Sequence, residues 1–312
     1  MCFAAMAALA PLYAIARKIA WKKVYAGLGG RVKVSVIGGG TTPMFLEDFF
    51  EIIGIPLTVG YGLTETSPVL SNRFAHHNVP GSVGLPLPGT DIRVVDPDTM
   101  EPLDRGKTGL VLARGPGVFA GYAGNAEASV KAFHNDYFNT GDLGQIIDQG
   151  DLVITGRQKD LIVLSSGENV SPQAIEDALL ESSLIQQVLV VGQDERHLGA
   201  LIVPNMEELR ALGLVDAETA TEIDEANGDR AKLQKIEQAL RRNAELDRLV
   251  KHELRTRVES LIDFVPSFRV PSYRLILTPF TIENGMMTQT LKVKKNIVRE
   301  RFPSEIAEIF RH

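Results

Sequence analysis

The chain carries one cysteine, Cys2, among 312 residues, so no internal disulfide can form and a reducing compartment is expected. Its six histidines are scattered, with no Cys-x-x-Cys or His-Glu-x-x-His spacing, and no zinc site is expected. An excess of positive charge is also missing. Thirty-three basic residues stand against 39 acidic ones, a net charge of −6, the wrong sign for a protein held mainly by nucleic-acid phosphates. Long apolar runs are absent as well. The apolar stretch at residues 2–15 is too short to span a bilayer and is interrupted by Pro11. No positive residue precedes it and no small-residue cleavage site follows, so it does not read as a signal peptide. With Arg17, Lys18, Lys22 and Lys23 it forms an amphipathic, partly basic helix, which either packs on its own domain or touches a membrane surface. This helix has no capping sequence before it, as expected of a chain that starts in mid-domain.

What is present is core-forming material: 44% hydrophobic residues, enough for about two domains at the usual ~150 residues each. Residues 32–37 alternate as a strand, Gly38-Gly39-Gly40 breaks it, residues 43–53 have helical apolar spacing, and residues 55–59 read as a buried strand. From 81 to about 156 the texture becomes β-rich, with short strands at 91–95, 109–113 and 152–155 between Gly, Pro and Asp turns. Ser171-Pro172 reads as an N-cap and first residue of a helix, and strands are expected at 188–191 and 200–203. A charged helical stretch follows, with Leu246, Val250, Leu254 and Val258 on an apolar stripe. Residues 278–290, around Asn284-Gly285, predict a hairpin.

Three segments carry chemistry. Tyr61-Gly62-Leu63-Thr64-Glu65 follows a buried strand, where ligands meet open α/β sheets. Tyr61 offers an aromatic face for a base, Gly62 lets a ligand approach the backbone, Thr64 offers a hydroxyl for phosphate, and Glu65 a hard oxygen for magnesium shared with substrate phosphates. Asn139-Thr140-Gly141-Asp142 reads as a turn whose carboxylate can accept from both hydroxyls of a ribose, or simply caps the turn. Gly156-Arg157-Gln158-Lys159-Asp160 sets two cations beside a glycine, for phosphate or ribose oxygens or as a solvated edge. Gly106-Lys107-Thr108 imitates a Walker loop, but the glycine required five residues earlier is Glu101, and a hairpin turn is expected instead. His76-His77 has no carboxylate nearby in sequence and is expected to hold no metal.

In their order and spacing these segments resemble the adenylate-forming acyl-activating enzymes, in the branch of long-chain fatty-acid CoA ligases and acyl-carrier-protein synthetases. The resemblance runs from Gly38-Gly39-Gly40 through the Tyr61 and Asp142 segments and Gly121-Tyr122 to Gly167-Glu168-Asn169-Val170 and Thr290-Leu291-Lys292-Val293-Lys294. It implies an α/β and α+β fold. Residues 1–158 would be the trailing, C-terminal part of the large AMP-binding domain, a sheet plus a small β-barrel-like unit. Residues 159–312 would be a small mobile α+β lid domain with a helical insertion at about 206–262.

The function implied is a ligase that joins a fatty acid to ATP, with Mg2+, as an acyl-adenylate, and passes the acyl group to coenzyme A or acyl-carrier protein. Gly38, Gly39 and Gly40 would line the adenine and acyl pocket, Tyr61 and Gly62 the base, and Thr64 and Glu65 the phosphates and magnesium. Asp142 would take both ribose hydroxyls with Arg157 beside it, Lys159 would be the hinge, and Lys292 the catalytic lid lysine. The partners implied are fatty acid and nucleotide, with no nucleic acid, in a cytoplasmic enzyme able to touch a membrane peripherally. One departure stands out: no segment ends in Pro-Lys-Gly, the loop that grips the ATP phosphates in this family. A truncated chain, slow or inactive in isolation, is therefore expected. The competing expectation is a non-catalytic nucleotide-binding or interaction subunit.

Overall fold

The computed structural model describes residue 19 and residues 21–226, 229–261 and 264–311. The readings placed on residues 2–15 and on Arg17 and Lys18 lie outside these. The chain divides into two compact units, Met1–Ile154 and Thr155–His312. Among the described residues no helix is long and apolar enough to cross a membrane.

The first unit begins with α1 (Lys22–Gly27), β1 (Ser35–Gly38), α2 (Met44–Ile53) and β2 (Leu57–Tyr61), a βαβ crossover whose strands pair in parallel. Pro43 cannot continue a helix backwards, and Gly54 ends α2 in the left-handed conformation, so both limits of α2 are written in local chemistry. β3 (Ser71–Asn72) and β4 (Leu85–Pro86) complete this sheet in the order β1-β2-β3-β4. A second sheet holds β5 (Asp91–Val95), β6 (Gly109–Arg114), β7 (Phe133–His134), β8 (Tyr137–Ile146) and β9 (Leu152–Arg157). β5, β6, β8 and β7 pair antiparallel in that order, and β9 also pairs with β8. Between β6 and β7 lies α3 (Ala126–Lys131), capped by the Asn125 side chain. Leu70, Ile92, Val94, Val111, Ala113 and Leu152 form the core of this unit.

In the second unit β10 (Ile162–Val163) and β11 (Asn169–Val170) form a short ribbon before α4 (Pro172–Leu179). The main sheet has β12 (Ile185–Val191) and β13 (Gly199–Pro204) antiparallel and β14 (Ser272–Leu275) parallel to β13. Between β13 and β14 run α5 (Met206–Ala211), α6 (Ala217–Ala226), α7 (Arg230–Arg241) and α8 (Ala244–Glu259); α9 (Lys295–Arg301) and α10 (Pro303–Ile309) close the chain. β12 and β13 are apolar on both faces because both are covered. Val188, Val190, Ala200 and Ile202 pack with Leu179, Leu254 and Val258, while Leu189, Val191, Leu201 and Val203 pack with Phe280, Met286, Val298 and Phe302.

Two local expectations are corrected. Residues 278–290 form no hairpin of strands. Thr281 N–H donates to Asn284 Oδ1 and Asn284 N–H to Thr281 Oγ1, so the side chains close a turn upon the backbone, leaving a single bridge between Met287 and Val293. Ser171 precedes the helix, but its side chain makes no capping bond there; its hydroxyl donates to the Thr155 carbonyl at 2.7 Å.

Candidate functional site

The first unit builds its site where β2 runs out. Gly38 and Gly60 face each other across the parallel pair, and a Cβ on Gly38 would lie 2.9 Å from the Gly60 carbonyl oxygen. Gly39 has φ +86°, which only glycine adopts readily, whereas Gly40 meets neither constraint. Gly62 is required by the chain itself: a Cβ there would lie 1.8 Å from the Pro68 carbonyl oxygen. The tight return is held by Thr66, a buried residue the sequence did not single out. Its hydroxyl accepts from Leu63 N–H at 2.9 Å and lies 2.8 Å from the Pro68 carbonyl.

Thr64 and Glu65 occupy a 3-10 turn inside this return, Thr64 exposed and Glu65 half-buried. The Glu65 carbonyl accepts from Phe119 N–H at 2.8 Å, and its carboxylate accepts from the Tyr122 hydroxyl at 3.0 Å. Tyr122 leans edge-on against Phe119, ring centroids 4.8 Å apart. Burial, and then the Glu65 charge, push the Tyr122 phenol above its ordinary range, so it remains a proton donor to Glu65.

Asp142 reaches the same site by a bulge. Leu110 pairs with Leu143 and Leu112 with Asn139, so Thr140-Gly141-Asp142 stand opposite the single residue Val111. The segment read as a turn is thus a bulge within β8. Gly141 takes φ +70° there, and the Thr140 hydroxyl donates to the Val111 carbonyl. The re-aimed, buried Asp142 accepts from the Tyr61 hydroxyl at 2.7 Å. The structure therefore brings Tyr61, Thr64, Glu65 and Asp142 to one end of the first unit.

Arg157, Lys159 and Lys292 belong to the second unit. Arg157 ends β9, and exposed Lys159 sits in the 3-10 turn that follows. Lys292 is exposed on a loop closed by Thr288 N–H to Lys292 carbonyl at 2.8 Å and Lys292 N–H to Thr288 Oγ1 at 3.0 Å.

Among the described residues no group of three His, Cys, Asp or Glu side chains could hold a metal ion. Glu65 alone suits magnesium, which takes one or two protein carboxylates and fills its shell from substrate phosphates and water. His77, which has no carboxylate nearby in sequence, meets a distant one: its Nε2 lies 2.8 Å from Oδ2 of fully buried Asp151.

The family model described as AMP-binding enzyme matches residues 2–123, and that of the AMP-binding enzyme C-terminal domain matches residues 159–248. A chloroplastic long-chain-fatty-acid–[acyl-carrier-protein] ligase of Arabidopsis thaliana is 38% identical over 97% of this chain and 39% of its own. A long-chain-fatty-acid–CoA ligase of Mycobacterium bovis is 34% identical over 96% of this chain and 45% of its own. The adenylation domain of a carboxylate reductase from Mycobacterium chelonae shares the fold, with a TM-score of 0.71 and 21% identity over 95% of this chain and 41% of that one. The chain thus spans less than half the length of these relatives. On the two matched models and the relatives, the chain belongs to the AMP-binding enzyme family.

Proposed function

We propose that the chain serves ATP-dependent activation of a long-chain fatty acid through an acyl-adenylate, with transfer of the acyl group to the thiol of coenzyme A or acyl-carrier protein. The observation that carries the reading is the bond from Tyr61 to Asp142. It joins an aromatic face to a buried carboxylate, one group for a base and the other for a ribose, beside a half-buried carboxylate at Glu65. Asp142 accepts from the two ribose hydroxyls, and Arg157 assists. The Tyr61 ring stacks on adenine while its hydroxyl remains tied to Asp142, and Thr64 donates to phosphate. Gly38, Gly39 and Gly40 form the floor of the pocket. Bound magnesium supplies charge neutralisation at the phosphates, and Glu65 holds it, oriented by the Tyr122 hydroxyl. Lys159 is the hinge. Lys292 brings a compact cation to the negative charge that develops as pyrophosphate leaves, a contribution of about 10² to 10³ in rate for one preorganised donor. The domains would then be residues 1–158 and 159–312.

Titration with a hydrolysis-resistant long-chain acyl-adenylate analogue tests the reading by calorimetry. Saturable binding is expected, weakened at least about tenfold in Asp142→Ala, the scale of losing charge-assisted hydrogen bonds. Absence of binding at millimolar analogue overturns it. Binding without fatty-acid-dependent ATP–pyrophosphate exchange favours the non-catalytic nucleotide-binding reading, which Asp142 and Arg157 motivate. Both acceptors stand in the names of the relatives, and comparing the two thiols as acceptors decides between them. The reading includes a cytoplasmic enzyme able to touch a membrane surface peripherally, where exposed Lys22 and Lys23 on α1 would meet anionic lipid.

A further inference from the structure

The loop that carries Lys292 is shaped by bonds within itself and rests on the core through Met287 and Val293, which pack with Leu189, Phe280 and Val298. Besides the two bonds between Thr288 and Lys292, Leu291 N–H donates to the Thr288 carbonyl and Lys294 N–H to the Met286 carbonyl, and Met287 bridges to Val293. These bonds shape the loop without aiming it. Two flanking residues add further ties to the rest of the unit. Before the loop, Met286 is fully buried against Phe280 and Val298. After it, Lys295 at the start of α9 reaches into the unit, where Nζ lies 2.7 Å from Glu176 Oε2 on α4. Both side chains are largely buried, with 14% and 8% of their surface exposed. The other oxygen of Glu176 accepts from Val190 N–H in β12 at 3.0 Å, so each carboxylate oxygen has a partner.

Apolar packing such as that of Met286 tolerates sliding, whereas a short charge-assisted bond between buried groups does not. A buried pair of this kind also contributes little net stability against an apolar replacement, because its attraction is offset by desolvation. Its geometric consequence is larger. Lys295 lies only three positions after Lys292, a reach of roughly 10 Å at full extension, so fixing the first confines the second.

We infer that Lys295, held by Glu176, is the positioning residue that aims the Lys292 loop, anchoring it to α4 and β12. The inference rests on the reading of Lys292 as the catalytic lid lysine only for its consequence in catalysis; the anchoring is a property of the fold. Burial pushes the Glu176 carboxyl upward and the Lys295 charge pulls it back, with Asp177 adding to the upward push. Deprived of Lys295, Glu176 can take a proton and keep its bond to Val190, so Lys295→Met should fold even if Glu176→Gln does not.

Hydrogen exchange on the full 312-residue chain tests the anchor. In Lys295→Met the amides of residues 287–294 should exchange at least about tenfold faster, the scale of losing one charge-assisted bond, while those of α7 and α8 keep their rates. Lys295→Arg, which keeps a charge able to reach Glu176, should restore protection. Unchanged exchange in 287–294, or uniform loosening across the unit, overturns the inference. ATP–pyrophosphate exchange reads the catalytic consequence separately: kcat should fall about tenfold in Lys295→Met with KM for ATP unchanged, and recover in Lys295→Arg. If the unsubstituted protein shows no exchange activity but the amide pattern is as expected, the anchor stands and the non-catalytic nucleotide-binding reading of the chain is favoured.

Discussion

The two units hold their functional groups by opposite means. In the first, the site is shaped by main chain pressed against main chain. Gly62 lies under the Pro68 carbonyl, Gly84 would place a Cβ 2.2 Å from the Asn72 carbonyl, and Gly117 would place one 2.7 Å from that of Thr66. In the second, Lys292 and its surroundings are shaped by side chains reaching across a deep core, with Glu176, Glu237 and Glu305 buried and each met by a cation. A carbonyl in a strand or turn cannot step aside, but a side chain can turn. The first unit should therefore be broken by adding atoms, and the second by removing them.

The largest expected effect is an addition. Gly62→Ala drives a methyl into the Pro68 carbonyl, which no rotamer change relieves, and its cost should exceed the about 1–3 kcal/mol of ordinary overpacking. Denaturant melts should show it as loss of the first unit, together with loss of acyl-adenylate analogue binding. A stable, binding-competent Gly62→Ala protein would sink the contrast. The matching removal is Leu254→Ala. This side chain is 1% exposed in the core against α4, and its truncation should cost about 2–5 kcal/mol. Native-state hydrogen exchange should place the loss in the second unit and leave β5, β6 and β8 protected as before.

Acid sharpens the comparison further, through one buried carboxylate of the second unit. Burial works to raise the Glu305 carboxyl, but hydrogen bonds from Gln234 and Arg230 overcome it and hold the group below the usual glutamate value of 4.5. The folded form therefore binds its proton at lower pH than the unfolded form. The stabilisation is complete above the ordinary glutamate range and is lost as pH falls below it, through the folded value. The urea midpoint of the second unit should drop over that acid window, and Arg230→Met should flatten the drop. An unchanged slope in Arg230→Met would remove Arg230 as its cause.

Much of this frame was legible beforehand. Pro43 and the apolar spacing marked α2, short runs between Gly, Pro and Asp turns marked β5 and β6, and strands were expected within what proved to be β12 and β13. The family motifs gave the site residues their order. What stayed hidden were partners far apart in the chain: Tyr61 with Asp142 at a separation of 81, Tyr122 with Glu65 at 57, and Lys295 with Glu176 at 119. No local window holds both halves of such a pair. The Asp142 bulge was hidden for a related reason, since it is defined by Val111 on another strand. Thr66 escaped because a buried threonine in a turn gives the same local signal as an exposed one.

The smallest effect separates a local reading from a tertiary one at a single hydroxyl. Ser171 stands where an N-cap would, and a cap accepts hydrogen bonds from backbone N–H groups. Here the hydroxyl instead donates to the Thr155 carbonyl, and it crowds Gly156, where a Cβ would lie 2.1 Å from it. The two roles respond oppositely to substitution. As a cap, Ser171→Asp would preserve or improve the helix, since aspartate accepts well and favours a helix N-terminus. As a donor, it would be harmed, because a carboxylate cannot donate to a carbonyl and would sit against that oxygen with like charge. Ser171→Ala should cost about 0.5–1.5 kcal/mol, the usual net worth of one hydrogen bond, and Ser171→Asp should cost more. Chemical denaturation of both variants decides the matter. Should Ser171→Asp prove as stable as the unsubstituted chain, capping rather than the bond to Thr155 governs this position, and the second unit is at that point held by local chemistry like the helix limits of the first.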